Sequence, residues 1–198
     1  GDSEIVVTTP LESRAYVELT RRVQRDFGVA SEWRNKGQTL FIPGGQEIVS
    51  PGNLHIEGDW SHAAFYLTAG AIGHGEIRLT GLDPHSAQGD RAMVEILRDM
   101  GADIRREGNE LVSRASKLHG LHVDCAQIPD LVPILAVAMA AAEGESRITG
   151  AARLRIKESD RLSAMAAALT AAGADVSELP DGLIIRGGKK LHAATVEG

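Results

Sequence analysis

Three times along the chain a helix-like stretch runs into a glycine, and a short alternating strand follows. The first copy ends in "DFGV" (26–29) and leads to "TLFI" (39–42) and Gly44-Gly45. The second ends in "DMGA" (99–102) and leads to "ELVS" (110–113), and the third ends in "AAGA" (171–174) and leads to "GLIIRGG" (182–188). Gly28, Gly101 and Gly173 fall where a helix end needs a left-handed residue, which glycine supplies at least cost. The alternation after each one fits a strand with one buried face. A second element follows the first two copies: "LHIEGDWSHAAFYLTAGAI", with Asp59 opening a helix, and "LHVDCAQIPDLVPILAVAMAAA", with Asp130 opening another.

Gly28 and Asp59 are 31 residues apart, and Gly101 and Asp130 are 29 apart; the same interval from Gly173 falls at 202–204, past residue 198. The third copy has a strand start at "LHAATV" (191–196) and nothing beyond it. The expectation is a chain that belongs to a longer protein, the alternative being an atypical terminal repeat. The helices predicted at 59–72 and 130–142 carry almost no charge, and a helix without a polar face is surrounded by other elements. They predict a buried helical layer wrapped by sheets, with the more polar helices 14–27, 90–100 and 160–172 outside. The pattern reads as an α/β or α+β protein of βαβ-like units, with a Pro/Gly break at "SPGN" (50–53) before the first buried helix.

Composition changes this picture little. Hydrophobic residues make up 43% and charged residues 24%, ordinary for a globular protein. Aromatics are only 4%, so Ala, Leu, Ile and Val must build the core. A net charge of −6 counts against a nucleic-acid binder but allows a local basic pocket for a small anion. The single cysteine, Cys125, forbids an internal disulfide and fits a reducing, cytoplasmic setting. The longest apolar run, 131–142, is shorter than the about 20 residues a bilayer span needs, so no membrane partner is expected.

The candidate chemistry lies in "RLRIKESDR" (153–161), a charged run between two apolar stretches. It reads either as a solvated loop with Ser159 or Asp160 capping the following helix, or as a site. Arg155, Lys157 and Arg161 converge on one anion if the loop folds over a pocket, with guanidinium forks and an ammonium suited to carboxylate or phosphate. Glu158 among those cations could move a proton. Asp130 and Asp59 read first as N-caps. So do Gln88, Gly89 and Asp90 of "HSAQGDR" and Ser13 of "SRAY", although Ser13 and Tyr16 could also meet a phosphate at a helix start. His119, His122, Asp124 and Cys125 do not make a metal site, because His122 and Asp124 share one strand face and Cys125 takes the other. No neighbour activates Cys125 as a nucleophile.

The segments "SRAY", "EGDWSHAAFYL", "SAQGD", "MGA", "IPDLVPILAVAMA", "RLRIKESDRL" and "AGA" occur together, in order, over almost the whole chain. In these the chain resembles the 5-enolpyruvylshikimate-3-phosphate synthase family, the 3-phosphoshikimate 1-carboxyvinyltransferases of aromatic amino-acid biosynthesis (the shikimate pathway). The resemblance implies an inside-out α/β enolpyruvyl transferase fold of repeated βαβαββ units, with buried parallel helices wrapped by mixed sheets. Residues 1–56 would be the last unit of one domain, and 57–198 two of the three units of the second. It implies transfer of the enolpyruvyl group of phosphoenolpyruvate to the 5-hydroxyl of shikimate 3-phosphate, with loss of phosphate and no metal or organic cofactor. Asp130 would be the base for the 5-hydroxyl and Glu158 the proton donor to the methylene carbon. Lys157 would bind shikimate 3-phosphate and Arg161 phosphoenolpyruvate. Ser13 and Tyr16 would lie at the shikimate 3-phosphate site. Arg153 stands where some members carry an Asn that contacts the substrate's phosphate.

Family segments of the "GSKS", "AGT", "SSQ" and "DHR" types, which complete the pocket, are not in this sequence, so the chain alone is expected to be inactive. Two alternatives stay open. One is an enolpyruvyl transferase acting on UDP-N-acetylglucosamine, against which "KESDR" and the position of Cys125 argue. The other is a non-catalytic binding module of the same fold.

Overall fold

The computed structural model describes residues 1–196. It divides into two compact units, residues 1–56 with 87–89, and residues 57–86 with 90–198. In the smaller unit, β1 (Ser3–Val6), β2 (Glu32–Arg34) and β3 (Thr39–Ile42) form an antiparallel sheet in the order β1-β3-β2, and α1 (Arg14–Asp26) lies between β1 and β2 in sequence. Trp33 of β2 ties α1 down. Its indole N–H donates to Glu18 at 2.6 Å, and the Arg14 guanidinium stacks 4.4 Å above its ring, a cation–π contact that also shields the indole.

The larger unit begins with α2 (Trp60–Ile72), β4 (Glu76–Leu79), α3 (Met93–Asp99), β5 (Asp103–Glu107) and β6 (Glu110–Arg114). It continues with β7 (His122–Asp124), α4 (Val132–Ala141), β8 (Glu145–Thr149), α5 (Arg161–Ala171), β9 (Asp175–Leu179) and β10 (Gly182–Arg186). One antiparallel sheet has the order β4-β6-β5. The other, β7-β8-β10-β9, is mixed, with β7 parallel to β8 and the remaining pairs antiparallel. Alternation along β5 and β6 sends Ile104, Leu111 and Ser113 inward and leaves Asp103, Arg105, Glu107, Glu110 and Arg114 on the outer face.

α4 is buried almost all round, as its apolar sequence predicts, among α2, α5, β8 and β10. α2 differs. Its Trp60, Ala63, Ala64, Leu67 and Ala71 are buried, but Phe65 and Tyr66 are 49% and 57% exposed. Its inner face packs so tightly that a Cβ at Gly70 would sit 2.8 Å from Ser113, whose hydroxyl donates to the Leu67 carbonyl at 2.7 Å. Glycine is needed there for close helix–sheet approach.

The repeat is physical as well as sequential. Gly28, Gly101 and Gly173 have φ of 82°, 101° and 92°. In each copy a later N–H returns to the carbonyl just before that glycine: Val49 to Phe27 (2.8 Å), His119 to Met100 (2.8 Å) and His192 to Ala172 (3.0 Å). The third copy then departs from expectation. Residues 191–196 form no strand, since nothing among the described residues pairs with them as β8 pairs with β7.

The caps divide. Asp59 does cap α2, accepting from the Ser61 and His62 N–H groups at 2.8 and 3.3 Å, and Asp160 caps α5 through the Ser163 N–H at 3.0 Å. Asp130 is not a cap. Pro129 starts a 3-10 turn (Pro129–Leu131) one residue early, its preset φ and missing N–H suiting the first position, so Asp130 falls inside the turn and its carboxylate accepts from Lys157 and Arg161. Asp90 is not a cap either, because a 3-10 turn, Gly89–Ala92, precedes α3 and buries its carboxyl. Ser13 stands at the N-cap of α1, but its left-handed backbone (φ 54°) turns it out of capping geometry and it makes no side-chain cap bond.

Candidate active site

The charged run is fixed at both ends by leucines. Leu154 and Leu162 are fully buried, so the segment between them is a short tether pulled onto the core, although Ile156 within it is 84% exposed. The run leaves β8 through a 3-10 turn, Ala152–Ile156, and ends in α5. α4 follows directly on the turn that carries Asp130, and it packs against both β8 and α5. The burial of α4 therefore brings Asp130 to the charged loop.

Lys157 Nζ donates to Asp130 Oδ1 at 2.7 Å, and Arg161 Nη1 reaches the same oxygen at 3.3 Å. Arg161 Nη2 donates to Glu158 Oε2 at 2.7 Å. Two carboxylates and two cations thus form one chain, Lys157–Asp130–Arg161–Glu158. Lys157, Asp130 and Arg161 are about a quarter to a third exposed, while Glu158 is 79% exposed. Its own backbone N–H, and then Arg161, hold the Glu158 carboxyl below the usual range, so without substrate it is ionised.

Arg155 does not join the cluster. Its guanidinium binds Asp160 (2.9 Å), Glu178 (2.8 Å) and the Pro180 carbonyl (2.8 Å), which fastens the loop to the β9–β10 hairpin. Asp160, held low first by the Ser163 N–H and then by Arg155, combines a cap with a loop anchor. Arg153 sits exposed in the 3-10 turn four residues before Lys157. Ser13 and Tyr16 belong to the smaller unit, where Tyr16 is 42% exposed and its N–H donates to the Ser13 carbonyl at 3.1 Å.

Asp90 is a site neighbour that the pattern of residues missed. It is 3% exposed and accepts a short hydrogen bond from the Ser61 hydroxyl. Burial first, then the charges of Asp130 and Asp59, push its carboxyl above the usual range, against the lowering pull of the Ser61 bond and Lys157. Its place before an apolar helix looked like capping and carried no other signal. His122 and Asp124 are exposed and Cys125 is buried, with its thiol pushed up to about 12 by burial and by Asp124, so it is no nucleophile. Among the described residues no group of three or more His, Cys, Asp or Glu could hold a metal ion.

The whole sequence, residues 1–198, matches the family model described as EPSP synthase (3-phosphoshikimate 1-carboxyvinyltransferase). The 3-phosphoshikimate 1-carboxyvinyltransferase of Clostridium novyi is 44% identical over 197 residues, covering 100% of this chain and 45% of that one. The enzyme of the same name from Clostridium acetobutylicum is 45% identical over 197 residues, with the same coverages of 100% and 45%. Among solved structures, EPSP synthase from Acinetobacter baumannii superposes with a TM-score of 0.76 at 32% identity, covering 96% of this chain and 44% of that one. The enolpyruvyl transferase NikO from Streptomyces tendae gives a TM-score of 0.70 at 21% identity over 98% of this chain and 44% of that one, a likeness of fold alone. The chain spans less than half the length of these relatives.

Proposed function

The chain belongs to the EPSP synthase family, and from that premise we propose that it carries the proton-transfer half of a 3-phosphoshikimate 1-carboxyvinyltransferase. The observation that supports this most is the single ion-pair chain joining Asp130, Lys157, Arg161 and Glu158. Such a chain is a resting arrangement for cations whose function is to hold anions.

When shikimate 3-phosphate and phosphoenolpyruvate bind, their phosphates and carboxylates compete for Lys157 and Arg161. Each cation drawn away raises the proton affinity of the carboxylate it leaves, and the incoming anions raise it further. Asp130 becomes a better base for the 5-hydroxyl proton. Glu158, ionised at rest, takes up a proton and becomes a donor. The 5-hydroxyl oxygen attacks C2 of phosphoenolpyruvate, Asp130 takes its proton, and Glu158 delivers one to C3. The C2–O bond to phosphate then breaks and C3 gives a proton back to Glu158, which leaves the enolpyruvyl ether and free phosphate. Lys157 and Arg161 oppose the negative charge throughout. Ser13, Tyr16 and Arg153 are assigned to the shikimate 3-phosphate side, and residues 1–56 and 57–198 to parts of two domains of a longer protein. That the chain carries one cysteine, buried, fits a cytoplasmic setting, and no helix among the described residues is long and apolar enough to cross a membrane.

A substrate exchange tests the assignment. A full-length protein containing this segment, given phosphoenolpyruvate, should release phosphate with shikimate 3-phosphate and not with UDP-N-acetylglucosamine. The reverse preference would overturn it. The inert Cys125 also counts against a reading that needs a cysteine.

A further inference from the structure

A second cationic place lies in the larger unit, built from none of the residues discussed above as catalytic. A pocket of about 110 Å³ opens between α3 and the β5–β6 hairpin. Three arginines line it, Arg91, Arg98 and Arg106, together with Glu95. Its apolar wall is Trp60, Pro84, Val94 and Leu111, of which Trp60 and Leu111 are 2% and 3% exposed.

Arg106 is out of pattern. In the β4-β6-β5 sheet the inward positions are Ile77, Leu79, Ile104, Leu111 and Ser113, and by alternation Arg106 falls on that same face as its only charge, at the sheet's open end where its side chain is exposed to solvent. The arginines on the outer face are all matched: Arg78 with Glu76, Glu107 and Glu110, Arg105 with Asp103, and Arg114 with Glu76 and Glu107. The Arg106 guanidinium makes no hydrogen bond or ion pair among the described residues, and neither does that of Arg91. Arg98 commits Nε to the Ile104 carbonyl (3.0 Å) and Nη1 to Glu95 (2.8 Å). The pocket therefore holds three guanidinium charges against one carboxylate. Its spacing is also built in: Arg91 and Arg98 are seven residues apart, one face of a helical path, and Arg106 arrives from the strand opposite.

We propose that this pocket binds a phosphate oxyanion. Like charges gathered beside an indole in a concave, partly apolar space repel one another, and a doubly charged anion relieves that repulsion. Guanidinium forks match the oxygens of phosphate, and the apolar wall lowers the local dielectric and strengthens each contact. The volume is well below the roughly 300–1,000 Å³ of pockets for drug-sized ligands, so the occupant is a small group: free phosphate or the terminal phosphate of a monoester.

Calorimetric titration of the 198-residue chain at constant ionic strength tests this, with inorganic phosphate in one arm and glycerol 3-phosphate in the other. Phosphate binding should survive in the double variant Lys157→Ala/Arg161→Ala and weaken about tenfold or more in Arg106→Leu. That change restores an apolar residue to the inward face and leaves the fold's pattern intact. Arg91→Ala, on an exposed residue, should weaken binding in the same sense. Equal affinity for glycerol 3-phosphate would support the site and include monoesters, and weaker affinity would support it for free phosphate. Absence of phosphate binding would overturn the proposal, as would binding lost in Lys157→Ala/Arg161→Ala but unchanged in Arg106→Leu and Arg91→Ala. The second result would leave the transferase reading standing.

Discussion

Lys157 and Asp130 lie 27 residues apart in sequence and 2.7 Å apart in space, because the helix that follows Asp130 is buried against the elements that lead into and out of the charged loop. An aspartate that looks like a helix cap is thereby the acceptor for two cations. Removing it should strand them. Asp130→Ala is expected to lower stability by about 1 kcal/mol, the upper range for a partly exposed pair, which is a fall of roughly 2–4 °C in melting temperature. Asp130→Ala in a Lys157→Ala background should cost much less, because the two residues share the interaction. Equal losses in both backgrounds would show that the contact carries no energy.

Asp90 gives a pH-dependent prediction of definite sign. Its carboxyl titrates above the unfolded value of about 3.9, so ionisation opposes folding once pH rises through that value. Asp90→Asn keeps the size and a partner for Ser61 while removing the charge. The variant should melt higher than the parent near neutral pH, and the gain should vanish below about pH 3.9. A gain that persists in acid would assign the effect to packing.

Asp160 has the opposite sign. Its carboxyl titrates below the unfolded value, so its charge contributes stability above about pH 3.9 that is lost as pH falls through the folded pKa. Asp160→Asn retains a good cap and loses only the charge. Melting curves for the variant should fall less steeply between about pH 5 and pH 2, and the difference should shrink in high salt because the group is exposed.

Gly70 tests the approach of α2 to β6. A methyl group there meets Ser113 side chain and backbone at 2.8 Å. Gly70→Ala should destabilise by about 1–3 kcal/mol despite alanine's better helix propensity. A neutral or stabilising result would mean the helix shifts freely away from the sheet.

Cys125 should be silent to thiol reagents in the folded protein. With its thiol pushed up to about 12 and its side chain buried, labelling near pH 8 should follow the rate of unfolding. Fast labelling of the native chain would contradict the burial.

Much of the fold was legible because its signals are local. The three glycine turns and the strand after each followed from periodicity, and so did the buried α4 and the caps at Asp59 and Asp160. The misreadings came from context. Pro129 moved the start of its turn by one residue and so took Asp130 out of the cap position, a shift that cap statistics do not register. Asp90 resembled a cap because nothing local announces that Ser61 will meet it. The strand expected at 191–196 lacked a partner, which no single-strand pattern can supply. The Phe65–Tyr66 face of α2 read as buried because hydropathy reports a need for cover and not its presence. Within the site, the charged run alone could not separate Arg155, which anchors the loop, from Lys157 and Arg161, which meet Asp130. That separation depends on Glu178, a residue from another strand.

The central claim is that Asp130 and Glu158 move the protons while Lys157 and Arg161 hold the anions. The most direct measurement is the rate of phosphate release from phosphoenolpyruvate and shikimate 3-phosphate by a full-length protein containing this segment, with Glu158→Gln and Asp130→Asn compared with the parent. Each variant should fold normally and lose about 10²–10⁴-fold in kcat, the usual contribution of a positioned acid or base. Turnover within about twofold of the parent in a folded Glu158→Gln protein would contradict the assignment.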